Sequence, residues 1–333
     1  MTLRAAVVGC GFIGAGRSGL TLGVQSHAAA YRRHPGTTLV GLCDDDPDRL
    51  RAAQADWEVD RGFSSLEALL EEARPEVVSL CTPDATHSRL LHTILGARSV
   101  RAILAEKPLA LVVAEAESVA RRAAERGVVL AVNYVRRYAP SHQQLRQWLM
   151  TGGIGRIEAV QGYYVRGVKH NGTHWLDLAR MLCGEIAAVR GSGDVDLWGD
   201  DPTIDVSVDF EDGGRGRLTG LARATYTLFE MDIVATAGRV RLVESGDRFD
   251  ITTVGPSSRF PGFKELMPAR GPSGGLADLL MHAVSDLLEC VETGRPPACT
   301  ADDAIRALLL ADQALAGARG LEAGIGVIDA AHT

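Results

Sequence analysis

The sequence predicts an α/β protein with two domains, the first built on a parallel sheet and the second on a large, mostly antiparallel open sheet. Three observations predict this. Short apolar segments alternate with helix-length amphipathic segments over residues 3–133, which is the pattern of a parallel sheet with helices on both faces. Between residues 156 and 254, segments of alternating polar and apolar residues follow one another through turns, as they do in β-hairpins. The 333 residues suffice for two cores, and we place the domains at 1–134 and 135–333.

The composition is that of an ordinary globular protein and argues against several functional classes. Hydrophobic residues make up 46% and charged residues 23% of the chain. The net charge of −7 gives no electrostatic reason to bind nucleic acid and mildly favours neutral or cationic substrates. No apolar segment approaches the roughly 20 residues that cross a membrane. The six cysteines lack metal-ligand spacing, and the first residues form no basic and apolar leader. We therefore expect a reduced, cytoplasmic protein without a bound metal or a membrane partner.

The first predicted strand leads directly into a glycine-rich turn. Ala5–Val8 form the strand, and Gly9–Gly14 follow as G-x-G-x-x-G. In this motif the first glycine makes a tight turn, the second lets the backbone approach a pyrophosphate, and the third allows close helix packing. A second strand at residues 38–43 ends in Asp44, whose carboxylate can accept hydrogen bonds from an adenine ribose. The pair predicts a Rossmann dinucleotide-binding domain. The predicted cofactor contacts here are Gly9, Gly11, Phe12, Ile13, Gly14 and Asp44.

The spacing within this motif indicates an insertion. Asp44 lies 30 residues after Gly14 (44 − 14), whereas roughly 20 are expected. The inserted segment is Ala15–Gln25, whose three glycines are unlike a helix interior. It is either a longer loop before a helix at Ser26–His34 or a flap over the cofactor or substrate.

The residues after Asp44 favour NAD over NADP. Asp45 and Asp46 follow it, and no arginine stands at the neighbouring position to receive a 2′-phosphate. A dianion close to these carboxylates would be repelled. Alternatively, Asp45 and Asp46 only open the turn at Pro47.

Two later strands also end in residues that can carry chemistry. Residues 76–80 lead into Cys81-Thr82-Pro83, after a helix at 65–73 that we expect Ser64 and Glu67 to cap. Residues 102–105 deliver Glu106 and Lys107, and Pro108 prevents further ladder pairing. Ligands of open α/β sheets bind outside the carboxyl ends of the strands, so Lys107 is placed to meet a substrate. The alternative is a lysine that ends a strand in solvent.

The second half predicts hairpins and flanking helices. Strands are expected at 156–165, 203–210, 217–222, 226–236, 239–244 and 249–254. Residues 169–182 form a loop running into a helix, and 256–275 form a loop rich in Pro, Gly and Ser. Helices are expected at 276–292 and 301–316, the latter with a Thr300 and Asp303 capping box. This α+β domain should have one sheet face covered by helices. The other face is available for subunit contact or, alternatively, is a solvated acidic surface.

The motifs together resemble the glucose-fructose oxidoreductase, inositol dehydrogenase and rhizopine catabolism family. The matching residues run in order from residue 3 to about 183: the glycine turn 9–14, Asp44, Thr82-Pro83 with His87, Glu106-Lys107-Pro108, Asn133 with Arg136-Arg137-Tyr138, and Gly172-Thr173-His174 followed by Asp177. The resemblance implies a nicotinamide dinucleotide in the first domain, a carbohydrate or cyclitol oxidised or reduced against it, and a homo-dimer or homo-tetramer formed through the C-terminal sheet. It also implies that Lys107 is the acid/base or substrate-binding lysine and that His174 faces the substrate. Many members carry Asp four residues before that histidine, where this chain has His170, and a second imidazole cannot stabilise imidazolium as a carboxylate does.

These features predict an NAD-dependent dehydrogenase of a sugar, aminosugar, glycoside or cyclitol, with Lys107 as acid/base and His174 assisting. Burial and the NAD⁺ charge should lower the pKa of Lys107, while Glu106 opposes that shift. Further cofactor contacts are predicted at Thr82, Pro83, His87, Glu106, Lys107, Asn133 and Arg136, and substrate contacts at Lys107, Tyr138, Lys169, His170 and His174. Structural alternatives are that His87 caps a helix and that Asp177 pairs with Arg180. Functional alternatives are a keto-reductase of a nucleotide-diphosphate sugar and a non-catalytic dinucleotide-sensing regulator.

Overall fold

The first domain is built on a parallel sheet of six strands, as predicted. The structure is a computed structural model that describes residues 2–17, 23–198, 200–222, 226 and 228–320. The strands are β1 (Leu3–Val8), β2 (Thr37–Cys43), β3 (Gly62–Phe63), β4 (Val77–Leu80), β5 (Ala102–Ala105) and β6 (Val129–Val132). They lie in the order β3-β2-β1-β4-β5-β6, all parallel. The chain order reverses between β1 and β4, and the crevice outside the carboxyl ends of those strands is where such sheets bind ligands.

Three helices of this domain begin at a residue whose side chain caps the first turn. The helices of the domain are α1 (Phe12–Ala15), α2 (His27–Arg33), α3 (Pro47–Trp57), α4 (Leu66–Ala68), α5 (His87–Gly96) and α6 (Val113–Arg126). Ser26 caps α2 and Asp46 caps α3 through backbone N–H groups of the first turn. The prediction that Ser64 caps the fourth helix is wrong by one residue. Ser65 accepts the Ala68 N–H, and α4 continues as a π-helical turn over Leu69–Ala73.

The insertion interrupts the helix that follows the glycine turn. α1 ends after one turn at Ala15, and α2 begins only at His27. The described residues between them, 16–17 and 23–26, are not helical, which agrees with the predicted longer loop at both of its ends. Residues 18–22, the centre of this insertion, lie outside the described residues, and a flap role stays a prediction. Beyond them the Val24 N–H donates to Asp278 Oδ1 at 2.7 Å, which anchors the end of the insertion to a residue of the second half of the chain.

The second domain carries a sheet of eight strands. They are β7 (Ile157–Tyr164), β8 (Ile186–Trp198), β9 (Asp201–Phe210), β10 (Arg215–Gly220), β11 (Glu230–Ala235), β12 (Gly238–Val243), β13 (Arg248–Pro256) and β14 (Lys264–Pro268). The order is β14-β13-β12-β11-β7-β10-β9-β8, antiparallel except for the β7 and β10 pair. The sequence pattern does not predict β8, because its two glycines weaken the alternation of a strand. It also misses β14, which lies within the predicted loop 256–275. Gly191 of β8 permits close packing, because a Cβ there would lie 2.0 Å from the Ala314 carbonyl oxygen.

The C-terminal helices join the two cores. The remaining helices are α7 (Pro140–Met150), α8 (Thr173–Cys183), α9 (Leu279–Thr293) and α10 (Ala301–Ala318), the last with the predicted capping box. Buried residues of α9, and Ala304 and Ala307 of α10, belong to the core of the first sheet, whereas Leu310 and Ala314 belong to the core of the second. Residues after 134 therefore contribute to the cores of both sheets, and the domain boundary at 134/135 stays a prediction. None of the helices within the described ranges is long and apolar enough to cross a membrane.

Arginine and aspartate side chains of the second sheet pair across neighbouring strands. Arg190 contacts Asp209 at 2.7 Å and Arg217 contacts Asp205 at 2.8 Å. Two further pairs, Arg239 with Asp232 and Arg241 with Asp250, extend this pattern over the other half of the sheet. The acidic residues of the predicted alternating strands are therefore partnered rather than simply solvated. A subunit contact through this sheet stays a prediction.

Candidate active site

The glycine turn has the geometry that a dinucleotide requires. Gly9 has φ +92°, and a Cβ on it would lie 2.5 Å from the Cys81 carbonyl oxygen. A Cβ on Gly14 would lie 1.8 Å from the Gly9 carbonyl oxygen. A Cβ on Gly11, by contrast, would meet nothing within 4 Å. Gly9 and Gly14 are thus required by the turn itself, while Gly11 borders open space in which a pyrophosphate can approach the backbone.

Asp44 is held rigidly at the end of β2. The Cys10 N–H donates to one carboxylate oxygen at 2.6 Å and the Asp46 N–H donates to the other at 2.9 Å. Oδ2 retains a further lone pair for a ribose hydroxyl, whereas Oδ1 also accepts from Arg49 Nη1 at 3.4 Å. A cavity of about 540 Å³ opens beside it. The residues that line this cavity include Gly9, Gly11, Asp44, Ser65, Thr82, Pro83 and Arg89.

Arg49 also borders this cavity, and the sequence analysis missed it. Its Nη1 lies 3.4 Å from Asp44 Oδ1 and its Nη2 lies 3.4 Å from Asp46 Oδ2. The sequence positions next to Asp44 hold no arginine, but the fold brings Arg49 close to the Asp44 carboxylate. The first turn of α3 folds back over the end of β2 and brings position 49 to position 44. Because Arg49 is shared between two carboxylates, its charge is already balanced locally.

His87 braces two strand-end turns rather than contacting a cofactor. Its side chain is fully buried, with one ring nitrogen 2.8 Å from the Thr82 carbonyl oxygen and the other 2.7 Å from the Pro108 carbonyl oxygen. These contacts occupy both nitrogens, so the predicted cofactor contact at His87 is wrong. The ring ties the turn after β4 to the turn after β5, where Lys107 lies.

Lys107 is partly buried at the carboxyl end of β5, and it faces the second domain. Its Nζ donates to the His170 carbonyl oxygen at 2.9 Å. Burial lowers the pKa of this amine below its ordinary value, although the carboxylates of Glu106, Asp84 and Asp201 all act to raise it. An amine whose pKa is lowered in this way is able to accept or donate a proton near neutral pH more readily than a surface lysine.

His174 lies in the first turn of α8 in an aromatic setting. Its ring is edge-on to Tyr134 and Phe229, with centroid distances of 5.4 and 6.5 Å. Burial, followed by the positive charges of Lys107 and Arg136, holds the pKa of His174 well below its ordinary value. The imidazole is therefore neutral at pH 7, with one nitrogen able to donate and the other able to accept a hydrogen bond.

Lys169 and His170 border a second cavity, of about 800 Å³, next to Lys107. The cavity is lined by residues that include Asp84, Pro108, Leu111, Lys169, His170, Asp200, Asp201 and Asp312. Lys169 forms an ion pair of 2.6 Å with Asp312. The His170 N–H donates to Asp201 Oδ2 at 2.8 Å, and its ring Nδ1 lies 3.9 Å from Asp84 Oδ2. The backbone of this π-helical turn, Gly167–Gly172, is thus fixed by a carboxylate of β9.

Two other predicted side chains, those of Tyr138 and Arg136, make structural contacts. Tyr138 is buried and donates its hydroxyl to the Val132 carbonyl oxygen at 2.9 Å, so the predicted substrate contact is wrong. Arg136 stacks on the ring of Phe229 at 3.9 Å and donates two hydrogen bonds to the Ser245 carbonyl oxygen. Its guanidinium therefore contacts the second domain, and the cofactor contact stays a prediction.

Asp177 does not pair with Arg180. It binds Arg137 instead, with both carboxylate oxygens 2.8 and 2.9 Å from the guanidinium Nε. Arg180 pairs with Glu185 at 2.8 Å. The expected i, i+3 pair does not form, because Arg137 takes both carboxylate oxygens of Asp177, while Arg180, only 7% exposed, binds Glu185 and the Asp303 carbonyl oxygen.

Glu106 is held from inside the first domain. His27 Nε2 lies 3.0 Å from Glu106 Oε1, and the Asn133 Nδ2 donates to the same oxygen at 2.6 Å. Burial raises the pKa of Glu106, but the hydrogen bonds and charges of its partners outweigh that and leave the pKa below its ordinary value.

Asn133 is 1% exposed, and its Oδ1 has no hydrogen-bond partner among the described residues. An unsatisfied buried acceptor is costly, so this oxygen fits the carboxamide of a nicotinamide. The sequence analysis missed His27, which stands at the start of an otherwise apolar helical segment.

Comparison with known proteins agrees with this geometry. Residues 3–134 match the model of the oxidoreductase family with an NAD-binding Rossmann fold. The chain is 24% identical over 322 residues to myo-inositol 2-dehydrogenase of Thermotoga maritima, covering 90% of this chain and 93% of that protein. It is 28% identical over 206 residues to D-apiose dehydrogenase of Paraburkholderia graminis, a match that spans 57% of this chain and only about half, 52%, of that protein.

A solved structure extends the agreement to both domains. Levoglucosan dehydrogenase in complex with NADH superposes with a TM-score of 0.80 at 18% identity, covering 96% of this chain and 98% of that chain. This likeness shows the shared fold. The family match confirms the predicted oxidoreductase class and NAD as the cofactor. Residues 3–134 thus match the NAD-binding Rossmann domain of the glucose-fructose oxidoreductase, inositol dehydrogenase and rhizopine catabolism family, the family that the sequence motifs resemble.

Proposed function

We propose that this protein is an NAD-dependent dehydrogenase that transfers hydride between a ring hydroxyl, or ketone, of a sugar, aminosugar, glycoside or cyclitol and the nicotinamide. The single observation that carries the proposal is the position of Lys107. It is a partly buried amine at the same sheet edge as the glycine turn, with its pKa lowered by burial. Its sequence neighbour Pro108 and its hydrogen-bond partner His170 line a cavity of about 800 Å³. The names of the relatives, which act on an inositol and on apiose, support this substrate class.

The cofactor would be held by the first domain. Gly11 leaves room for the pyrophosphate, Asp44 faces the cavity for the adenosine half, and the Asn133 Oδ1 is an acceptor for the carboxamide. Bound NAD⁺ supplies the hydride acceptor. We further propose a preference for NAD over NADP, since Asp44 and the exposed Asp45 border the same cavity and would repel a 2′-phosphate. The balanced charge of Arg49 leaves that repulsion largely intact.

Lys107 moves the proton of the reaction. In the oxidative direction its neutral Nζ accepts the proton of the substrate hydroxyl as the hydride leaves the same carbon, and in the reductive direction the ammonium returns it. The His170 carbonyl oxygen, 2.9 Å from Nζ, accepts a hydrogen bond in both states and keeps the amine directed toward the second domain. His174, kept neutral by burial and by neighbouring cations, orients the substrate through a hydrogen bond. Lys169 and His170 border the cavity as further substrate contacts.

The charge of the cavity favours a sugar without a diphosphate. Four aspartates line it, at positions 84, 200, 201 and 312, against the cations of Lys169 and Arg319. A nucleotide diphosphate brought next to these carboxylates would be repelled, whereas a neutral or amino-substituted ring would not. This observation ranks the keto-reductase of a nucleotide-diphosphate sugar below the preferred substrate class. Retention of Lys107 and His174 ranks a non-catalytic regulator lower still.

The proposal is tested by NADH absorbance with a panel of sugars, cyclitols and aminosugars, each run with NAD⁺ and with NADP⁺. Replacing Lys107 by Ala should lower turnover by about 10²–10⁴-fold while leaving NAD binding nearly intact. Lys264→Ala is the matched control, because that lysine is exposed on β14, in the edge strand of the second sheet. Turnover unchanged in Lys107→Ala would remove this residue from the mechanism. If the wild-type protein binds NAD tightly but forms no NADH with any member of the panel, the sensing role is favoured.

A further inference from the structure

A chain of polar side chains crosses the core of the first domain and ends beside the candidate active site. Tyr31, His27 and Ser79 are 0% exposed, and Asn133 is 1% exposed. Burying this many polar groups is costly unless each is hydrogen-bonded. The contacts, in order, are Tyr31 Oη to Ser79 Oγ at 2.7 Å, Ser79 Oγ to His27 Nδ1 at 2.8 Å, His27 Nε2 to Glu106 Oε1 at 3.0 Å, and Asn133 Nδ2 to Glu106 Oε1 at 2.6 Å.

The direction of the hydrogen bonds follows from the ends of the chain. An ionised carboxylate only accepts, so the His27 Nε2 must carry the proton that it donates to Glu106. His27 Nδ1 is then free to accept the Ser79 hydroxyl proton, and Ser79 Oγ accepts from Tyr31. Tyr31, Ser79, His27 and Glu106 are each hydrogen-bonded in this arrangement. The imidazole of His27 is therefore held in one orientation from both sides, and it presents a fixed donor to Glu106.

Glu106 connects this chain to the reacting groups. Its carboxylate is one of three that face Lys107, the others being Asp84 and Asp201, and His174 faces Lys107 from the second domain. The same carboxylate oxygen receives the Asn133 amide, whose Oδ1 has no partner among the described residues. The position and charge of Glu106 thus influence both the amine and the carboxamide acceptor. His27 is the donor that reaches Glu106 from within the core.

We propose that His27 is a positioning residue of the active site, which holds the Glu106 carboxylate against Lys107 and orients the Asn133 amide for the nicotinamide. This inference rests on the proposed dehydrogenase function for its kinetic readout but not for its binding readout. His27 does not touch the substrate. It acts through Glu106, and its effect should therefore appear in kcat, in the pH profile and in NAD affinity rather than in the KM for the sugar.

The test compares His27→Phe, which keeps the ring shape without nitrogens, with His27→Gln, which keeps an amide donor. His27→Phe should lower kcat by about 100-fold with the sugar KM little changed. It should also weaken NAD binding by about tenfold, the effect of about one hydrogen bond, measured by calorimetry on the protein without sugar. Loss of the His27 donor leaves Glu106 less readily ionised, so less negative charge faces Lys107. The rise of the oxidation rate with pH should consequently move to lower pH. His27→Gln should restore part of each effect.

His142→Phe is the matched control, because His142 is an equally buried histidine, in α7, whose ring contacts Ser141 and Phe249. It measures the general cost of losing a buried imidazole. The inference is overturned if His27→Phe only lowers the melting temperature, as His142→Phe does, while the pH profile and NAD affinity of the folded protein stay those of the wild type. If His27→Phe does not fold, the same measurements are made on His27→Gln and on Glu106→Gln. The inference is then overturned if both variants keep the pH profile and the NAD affinity of the wild type. A wild-type protein without dehydrogenase activity contradicts the proposed function alone, since the NAD-binding comparison still tests His27.

Discussion

The ion pair between Arg137 and Asp177 gives the sharpest test of how the two domains are held together. Asp177 lies one turn after His174 on α8, and Arg137 lies in the short helical turn Val135–Tyr138 that follows β6. The Arg137 side chain is 11% exposed and the Asp177 side chain is 3% exposed. The distances from Arg137 Nε to the two carboxylate oxygens of Asp177 are 2.8 and 2.9 Å. Asp177→Ala removes the carboxylate and leaves a buried guanidinium with one remaining partner, Asp303, at 3.1 Å.

The expected cost follows from these contacts. Breaking a buried ion pair by removing one partner costs about 3–5 kcal/mol. Because Asp303 keeps part of the Arg137 charge compensated, we expect the lower end, about 3 kcal/mol. For a protein with domains of this size that corresponds to a melting temperature lower by about 6–12 °C, measured by circular dichroism. The turnover should fall as well, since the α8 segment that carries His174 loses its tie to the first domain.

The double variant Arg137→Met with Asp177→Leu is the control for this reasoning. Replacing a buried pair by apolar residues of similar volume is often neutral, so the double variant should be clearly more stable than Asp177→Ala. A cost of less than about 1 kcal/mol for Asp177→Ala would place this pair with ordinary surface pairs and refute the argument. A double variant as unstable as the single one would show that packing, not the uncompensated charge, sets the cost.

Two further predictions concern the site. The oxidation rate should rise with pH through the pKa of Lys107, because only the neutral amine accepts a proton, and the reduction rate should fall over the same range. Burial lowers that pKa from 10.5 despite the neighbouring carboxylates, so a rise centred at or above the ordinary lysine value, or one that persists in Lys107→Ala, would contradict the assignment. Tyr138→Phe should cost about 1 kcal/mol of stability, since it removes one buried hydrogen bond to the Val132 carbonyl oxygen, and should leave the sugar KM unchanged. A sugar KM that rises in this variant would return Tyr138 to the substrate site.

Most of the first domain was predictable because its signals are local. Apolar segments of strand length are separated by helices, and the crossover rule then places all strand ends on one edge of the sheet. This is why Gly9, Asp44, Thr82 and Lys107 could be assigned to one edge of the sheet before their contacts were known. In the second domain the alternating strands were found in the same way. β8 and β14 were missed because glycine and proline weaken their pattern, and their ladders depend on partner strands.

The roles of the polar side chains around the cleft were the least predictable part. Tyr138, Arg136 and His87 have residue types suited to a ligand, yet each is bound to a backbone carbonyl oxygen elsewhere in the fold. A polar group that enters the core takes whichever partner satisfies it there, and nothing in the neighbouring sequence specifies that partner.

The amino-acid sequence by itself determined the succession of strands and helices along the first domain, the glycine turn, the acidic residue at the end of β2 and the lysine at the end of β5. These depend on residue type, on spacing, and on the side-chain period of about 2 residues in strands and about 3.6 residues in helices. Only the tertiary structure decided which side chains meet. His27 and Glu106 are 79 residues apart, Arg137 and Asp177 are 40 apart, and Arg136 lies 109 residues from the Ser245 carbonyl group that it binds. Such pairs form because burial demands a partner for every polar group, and the partner is selected by the packing of whole helices and strands rather than by the residues beside it.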